Sequence, residues 1–288
     1  MSAPYSPTIR RRRLSAELRR LRKSHGLSLQ EVAEKTGISR SNLSKIESAE
    51  SKTVSAEILD KLLKLYGVTD KEDRENLHEL ARLAGERGWW AKYRSIFPTD
   101  LVDFETEASA FRVYEAQVVP GLLQVAGYAE AVIGADKTRS VDEVMLRVGA
   151  RMRRQQILDR VDPPLYQAVL DEAVLRRPFG SKDVMLMQLR RLTYMAVRHN
   201  VEIYVLPFSA GAHLATEGSF LIMDFPDPRD SSVAYVETPV CGLFLEEAGE
   251  LEYFNSMFYN VRDSSLDQEQ SLAFINDVIR SLGGEVSD

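Results

Sequence analysis

The chain carries one cysteine in 288 residues, Cys241. That scarcity excludes an intrachain disulfide framework and offers no thiolate pattern for a metal. The setting of Cys241, TPVCGLF, reads as a buried strand or loop thiol. No stretch approaches the roughly 18 to 20 apolar residues needed to span a bilayer. The amino terminus is polar and then basic, without the apolar core of a secretion signal, so the expectation is a cytoplasmic protein with no membrane partner. Internal repeats and low-complexity tracts are also lacking. Catalytic signatures are equally scarce. There is no Gly-rich phosphate loop and no nucleophile elbow. Asp171 and Glu172 are adjacent, so on a strand their carboxylates point to opposite faces and cannot work as a paired acid and base. His199 ends an apparent helix and His213 sits in a Gly-Ala loop, neither at metal-ligand spacing. These absences predict a protein that is not an enzyme, with no cofactor and no metal.

What the chain does have is length and an uneven charge. With 44% hydrophobic residues it can bury a sizeable core, and its length suggests two domains. Residues 1 to 67 hold 14 Lys and Arg against 7 Asp and Glu, a net charge of +7. The remainder carries −13, for a total of −6. A basic unit concentrates at polyanions and an acidic one is repelled from them, so the two parts have different tasks. The run Arg10, Arg11, Arg12, Arg13 reads as a flexible basic arm over residues 1–12 that reaches phosphates or the minor groove.

The segment LSLQEVAEKTGISRSNLSKIE, residues 27 to 47, carries the most information. Ser28 followed by Glu31 forms a capping box that starts a helix through Lys35. Gly37 suits the left-handed backbone of a helix exit, and Ser39 caps a second helix over Arg40–Glu47. Val32, Ala33, Ile38, Leu43 and Ile46 face one another, which leaves Arg40, Ser41, Ser44 and Lys45 outward as hydrogen-bond donors for base edges and phosphates. From about Arg13 to Gly67 the chain resembles the lambda-repressor-like, xenobiotic-response-element type of helix-turn-helix. That resemblance implies binding to a double-stranded DNA operator. It assigns Arg40, Ser41 and Lys45 to base reading, and Asn42, Ser44 and Lys52 to phosphates or sugars, with Ser28 and Gln30 nearby. It also implies a structural ion pair between Arg22 and Glu47. Two positions depart from the family pattern: Leu29 stands where a phosphate-clamping Gln is usual, with Gln30 one residue later, and Ser48-Ala49 replaces an Asn-Gly turn.

Ser55 should cap a fourth helix with Ile58, Leu62, Leu65 and Tyr66 as its apolar stripe, and a charged fifth helix runs from about Asp70 to Gly85. Residues 13–86 are then the DNA-binding domain, 87–135 a linker and helical connector, and 136–288 a carboxy-terminal domain. The blocks GWWAKY and FRVYEAQVVPGLLQVAGYAEAVI resemble the opening of the domain that follows this helix-turn-helix in many actinobacterial regulators, DUF5753, with YEAQ where YEPQ is usual. The resemblance implies a regulator often encoded beside a small partner protein, in pairs viewed as antitoxin and toxin.

Beyond Pro164 the pattern is mixed. Leu165–Leu175 reads as a strand, 182–199 as an amphipathic helix and Val201–Leu206 as a β-branched strand, which together suggest a parallel pair. Phe220–Phe225 and Ser232–Glu237 read as antiparallel strands, followed by helices near Ala248–Arg262 and Leu266–Leu282. The loop SAGAHLATEGSF either lines a pocket or connects a hairpin. The expected architecture is an all-α five-helix domain followed by an α+β domain with a small mixed sheet covered on one side by helices. Trp89, Trp90, Tyr253, Phe254, Phe258 and Tyr259 are candidates for a partner, ligand or dimer surface. Two functions are expected from these features. One is a sequence-specific, dimeric DNA-binding regulator whose carboxy-terminal domain senses a small partner protein or ligand. The other is an antitoxin-like protein that sequesters a small neighbour-encoded partner and autoregulates the operon.

Overall fold

A computed structural model describes residues 7–51, 53–84, 101–227, 230–238 and 241–283. The chain divides into two units between Glu107 and Ala108. Among its described residues the first unit is helical: α1 (Pro7–Ser24), α2 (Leu29–Thr36), α3 (Arg40–Glu47), α4 (Ala56–Leu65), α5 (Lys71–Ala84) and α6 (Leu101–Glu107).

Helix α1 places Leu14, Leu18 and Leu21 on one face, at the i, i+4, i+7 spacing of a buried stripe. It packs against α3, α5 and α6. This corrects the expected arm, because Pro7 to Arg13 is the first half of a helix. Pro stands at the first helical position, where its missing N–H costs nothing, and Arg is a good helix former. The Arg12 guanidinium lies 4.8 Å from the centre of the Phe104 ring, a cation–π contact within this unit. In α4 the buried residues are Leu59, Leu62, Leu63 and Tyr66, while Ile58 and Leu65 pack only partly buried against them. The expected stripe therefore holds at Leu62 and Tyr66 and omits Leu59 and Leu63, which fill the same core.

The second unit contains a six-stranded sheet in the order β3-β2-β1-β4-β5-β6. The strands are β1 (Ala110–Glu115), β2 (Leu165–Asp171), β3 (Val201–Leu206), β4 (Phe220–Asp224), β5 (Val233–Glu237) and β6 (Gly242–Leu245). β1, β2 and β3 run parallel, and β4, β5 and β6 continue antiparallel. The connector assigned to 87–135 thus holds a central strand of the domain. Between β1 and β2 lie 3-10 turns at Gly121–Leu123 and Gln155–Asp159, with α7 (Ala126–Ile133) and α8 (Val141–Arg154). Between β2 and β3 come α9 (Glu172–Arg176) and α10 (Lys182–Ala196), and the chain closes with α11 (Ala248–Asp263) and α12 (Gln268–Ser281). The strand expected through Leu175 stops at Asp171, which instead caps α9 by accepting the Ala173 N–H. The SAGAHLATEGSF loop is not a hairpin connection, because β3 and β4 are separated by β2 and β1.

Both faces of the sheet are buried, where cover on one side was expected. Tyr114, Val169, Phe220, Ile222 and Ala234 pack with Met257, Phe258 and Val261 of α11. The alternate residues Phe111, Val113, Ala168, Leu170, Ile203 and Val205 are also buried. Parallel strands need crossover connections, and those crossovers supply the second layer. Edge strand β3 is closed off by the carboxy-terminal segment. The Leu266 N–H donates to the Val205 carbonyl at 2.9 Å, and the Ser271 hydroxyl accepts the Val205 N–H at 2.9 Å. Since Val205 and Ser271 are wholly buried, Ser271→Ala should leave an unsatisfied N–H and cost about 1–2 kcal/mol. Urea unfolding followed by circular dichroism measures this, and an unchanged midpoint would show that the bond adds nothing.

Candidate nucleic-acid interface

Each helix of the α2–α3 pair is eight residues long, too short to persist alone. Local bonds fix their ends. The Ser28 hydroxyl accepts the Glu31 N–H at 3.2 Å while the Glu31 carboxylate accepts the Ser28 N–H at 2.8 Å. The Ser28 N–H, and the Ser28 hydroxyl donating to the same carboxylate at 2.8 Å, hold the Glu31 carboxyl below its ordinary range. Gly37 ends α2 at φ +72°, a backbone region that favours Gly. The Ser39 hydroxyl then accepts the Asn42 N–H and starts α3. Val32, Leu43 and Ile46 enter the core with Leu14, Leu18, Leu59 and Leu62.

The far end of α3 is fixed by charge. Arg22 Nε and Nη2 donate to the two Glu47 carboxylate oxygens at 2.7 and 2.8 Å, and Arg22 Nη1 donates to the Leu27 carbonyl at 2.6 Å. The side chains are only 13% and 9% exposed, so this pair is largely withdrawn from water. The ion pair expected from the family resemblance is therefore present.

What α3 leaves outward is Arg40, Ser41, Ser44 and Lys45, all exposed, with Asn42 half-buried beside them. One helix surface brings these five together. Ser28 and Gln30 lie on α2 and its cap, but both are engaged: Ser28 in the capping box, and Gln30 Nε2 donating to Glu34 at 2.9 Å. Lys52, Trp89 and Trp90 lie outside the described residues. Beyond α3, Ala49 takes φ +59° where the related turn has Gly. The Ser51 N–H then donates back to the Lys45 carbonyl, so the turn closes onto the end of α3.

Residues 98–277 match the sequence model of a family described as a domain of unknown function, DUF5753. The chain belongs to that family. Residues 13–77 match a helix-turn-helix domain, which supports a DNA-binding regulator. No curated protein and no solved structure matches the chain.

In the DUF5753 region the candidate surface residues separate. Tyr253 and Tyr259 are exposed, whereas Phe258 is completely buried under the sheet and Phe254 stacks edge-on against Phe220 at 5.3 Å. Phe258 is a core residue, because α11 turns every third or fourth residue inward. Cys241 is exposed, not buried, since the chain has yet to enter β6 there. Glu172 accepts from Arg176 Nε at 2.5 Å and from the Phe208 N–H at 2.9 Å, so its carboxylate ties α9 to the loop after β3. The ring of His213 packs edge-on against Tyr114, and His199 is exposed. Among the described residues, no group of three or more His, Cys, Asp or Glu is arranged to hold a metal.

A polar cluster at the carboxyl end of β1 escaped the sequence reading. Burial pushes the Glu115 carboxyl up to about 7 from an ordinary 4.5, against the pull of Ser219 and with Glu237 and Arg151 acting in opposite senses nearby. The adjacent loop is pinned by buried amides: Gln124 bonds the Val119 carbonyl, and Gln188 bonds both the Leu123 carbonyl and the Val125 N–H. A lone Glu at a strand end carries no sequence signal for this environment.

Two outcomes follow from these sites. Glu47→Ala strands the Arg22 guanidinium and should cost about 3 kcal/mol, whereas Arg22→Met with Glu47→Leu should recover most of that loss; a urea double-mutant cycle measures it, and additive losses would refute the coupling. For Glu115, the folded state holds a proton that the unfolded chain has released between pH 4.5 and 7. Stability should therefore fall as pH rises through that window, by on the order of 2 kcal/mol between pH 5 and 8. Glu115→Gln should flatten the profile, and an unaltered pH dependence in that variant would assign the effect to other groups.

Proposed function

We propose that the chain is a sequence-specific transcriptional regulator that acts in the cytoplasm as a dimer on a two-fold DNA operator, with its DUF5753 region sensing a small partner protein or ligand. The observation that carries this reading is the outward face of α3: Arg40, Ser41, Ser44 and Lys45 stand exposed on a helix whose start is capped and whose end is bonded to α1. A preset donor surface loses little freedom on docking, and one side of such a helix fits the major groove. The supporting charge asymmetry is +7 over residues 1–67 against −13 beyond. One helix-turn-helix unit contacts few bases, so pairing two units roughly doubles the readout and sets half-sites near one helical turn apart. On this reading the DUF5753 region has a regulatory role and no catalytic one.

Footprinting on the DNA upstream of the chain's own gene tests the assignment, and no protection at low salt would sink it. The side-chain roles are tested separately. Arg40→Ala and Lys45→Ala should each relax base selectivity, by about 1–3 kcal/mol at the position read. Lys52→Ala should weaken all DNA alike and reduce the salt slope by about 1. Salt-titrated fluorescence anisotropy distinguishes the two classes, and identical behaviour would refute this division of base and phosphate contacts.

A further inference from the structure

Helix α8 carries two apolar stripes. Val144, Val148 and Met152, spaced i, i+4, i+8, pack inward with Ala129 and Ile133 of α7. Val141, Met145 and Gly149 repeat the same spacing on a side turned to solvent. Val141 is 78% exposed, Met145 52% and Leu146 48%. The exposed residues of α8 are Val141, Asp142, Met145, Leu146, Gly149 and Arg153. At 100° per residue they form one continuous strip with Gly149 near its middle.

Gly149 is the second observation. Gly is a poor helix former, and here it stands inside a 14-residue helix. Among the described residues, no atom beyond its chain neighbours and the backbone of its own helix lies within 4 Å of where its Cβ would be. Among the described residues nothing calls for a missing side chain here, whereas close approach of a second helix across this strip would.

Charge supplies the third. The first turn of α8 is acidic, with Asp142 and Glu143, and the last turn is basic, with Arg151, Arg153 and Arg154. Two copies laid side by side in parallel would set like charges together. Laid antiparallel, each acidic end meets a basic end, and the helix dipoles also oppose favourably. Asp142 and Arg153 are symmetric about the same point of the helix as Leu146 and Gly149. A single two-fold axis therefore places Asp142 opposite the other copy's Arg153 and Leu146 opposite its Gly149.

We propose that this face of α8 is a homodimer interface, in which two copies of the chain cross antiparallel about a two-fold axis through the Leu146–Gly149 segment. The proposal rests on the regulator reading above and adds to it the surface that pairs the copies. Contacts of this kind are isologous: each residue pair occurs twice, so one substitution breaks two contacts.

The test is sedimentation velocity of the full chain without DNA, over a range of concentrations. Wild type should show a concentration-dependent dimer. Asp142→Arg and Arg153→Asp should each weaken it at least about tenfold, since two attractive pairs become repulsive. Gly149→Leu should also weaken it by blocking close approach. An equimolar mixture of the two single charge variants restores both opposite-charge pairs and should dimerise again, as should the chain carrying both substitutions. That recovery also excludes misfolding as the cause of the losses. A wild-type chain that stays monomeric overturns the proposal, and so does a dimer indifferent to these substitutions. A small protein that co-purifies with the monomer and protects α8 from hydrogen exchange overturns it in favour of that occupant. Footprinting with the same preparations separates the two readings: an intact α8 dimer that protects no DNA sinks the regulator assignment and leaves this interface standing.

Discussion

The bidentate bond between Arg22 and Glu47 is the constraint on which the DNA-binding unit depends. It joins the last turn of α1 to the last turn of α3, and the third guanidinium bond, to the Leu27 carbonyl, brings in the turn that leads to α2. One side chain thereby sets the relative position of three elements. Such a pair is costly to withdraw from water, and an apolar pair of similar volume would often serve stability equally well. What hydrocarbon lacks is direction. On the proposed reading α3 must present Arg40 and Lys45 at one angle, and the flat fork of Arg22 against both oxygens of Glu47 fixes an angle in a way that Leu against Leu does not. The unit tolerates other costs around that requirement. Ala49 holds a left-handed backbone, unfavourable for a residue with a Cβ, and in doing so turns the chain back onto the end of α3.

The DUF5753 region solves a different problem. Its sheet begins parallel and ends antiparallel, so it has two edges of unlike origin. The β3 edge is covered by Leu266 and Ser271, and β6 is short, only four residues. Short or covered edges discourage sheet-to-sheet association. Pairing of copies through strands is thereby disfavoured. The loop after β1, at the carboxyl end of the parallel strands, is held by Gln124, Gln155 and Gln188 bonding to backbone. Gln124 and Gln188 are buried with both amide ends bonded, which rigidifies the segment they span.

Much of this was legible where a local bond or a strict period decides the outcome. Ser28, Ser39 and Ser55 cap the helices they were expected to cap, because a hydroxyl before an apolar-periodic run satisfies an otherwise orphaned N–H. Val201–Leu206 is a strand as read, since its β-branched run ends at a Pro. Failures fall where tertiary context decides. Strand β1 was missed because Phe111, Val113 and Tyr114 break strict alternation: with both faces of the sheet buried, there is no polar side to mark the period. Arg10–Arg13 looked like an arm because a charge run carries no apolar signal, although Leu14 and Leu18 just beyond commit it to a helix. Phe258 and Tyr259 are neighbours with the same aromatic character, yet one is core and the other exposed, a difference set by the rotation of α11 alone. Among the candidate DNA contacts, the residues of α3 were readable from the helix period, whereas the engagement of Gln30 by Glu34 depends on a rotamer and was not.

On the proposed reading, the α8 face would give regulation a physical basis. Three exposed apolar side chains on each α8, with two charge pairs at the rim, would make a small contact compared with that of a permanent dimer. Alone, such a contact would hold copies together only when they are concentrated. On an operator with two half-sites, DNA would keep the copies close, and the proposed α8 contact would become effectively intramolecular. Weakness is then an advantage. A strong dimer would occupy its operator regardless of what the DUF5753 region binds, because a ligand shifts an equilibrium only by its differential affinity for the two states. With a marginal contact on α8, even a modest preference of a ligand or partner for the unpaired chain would change operator occupancy severalfold.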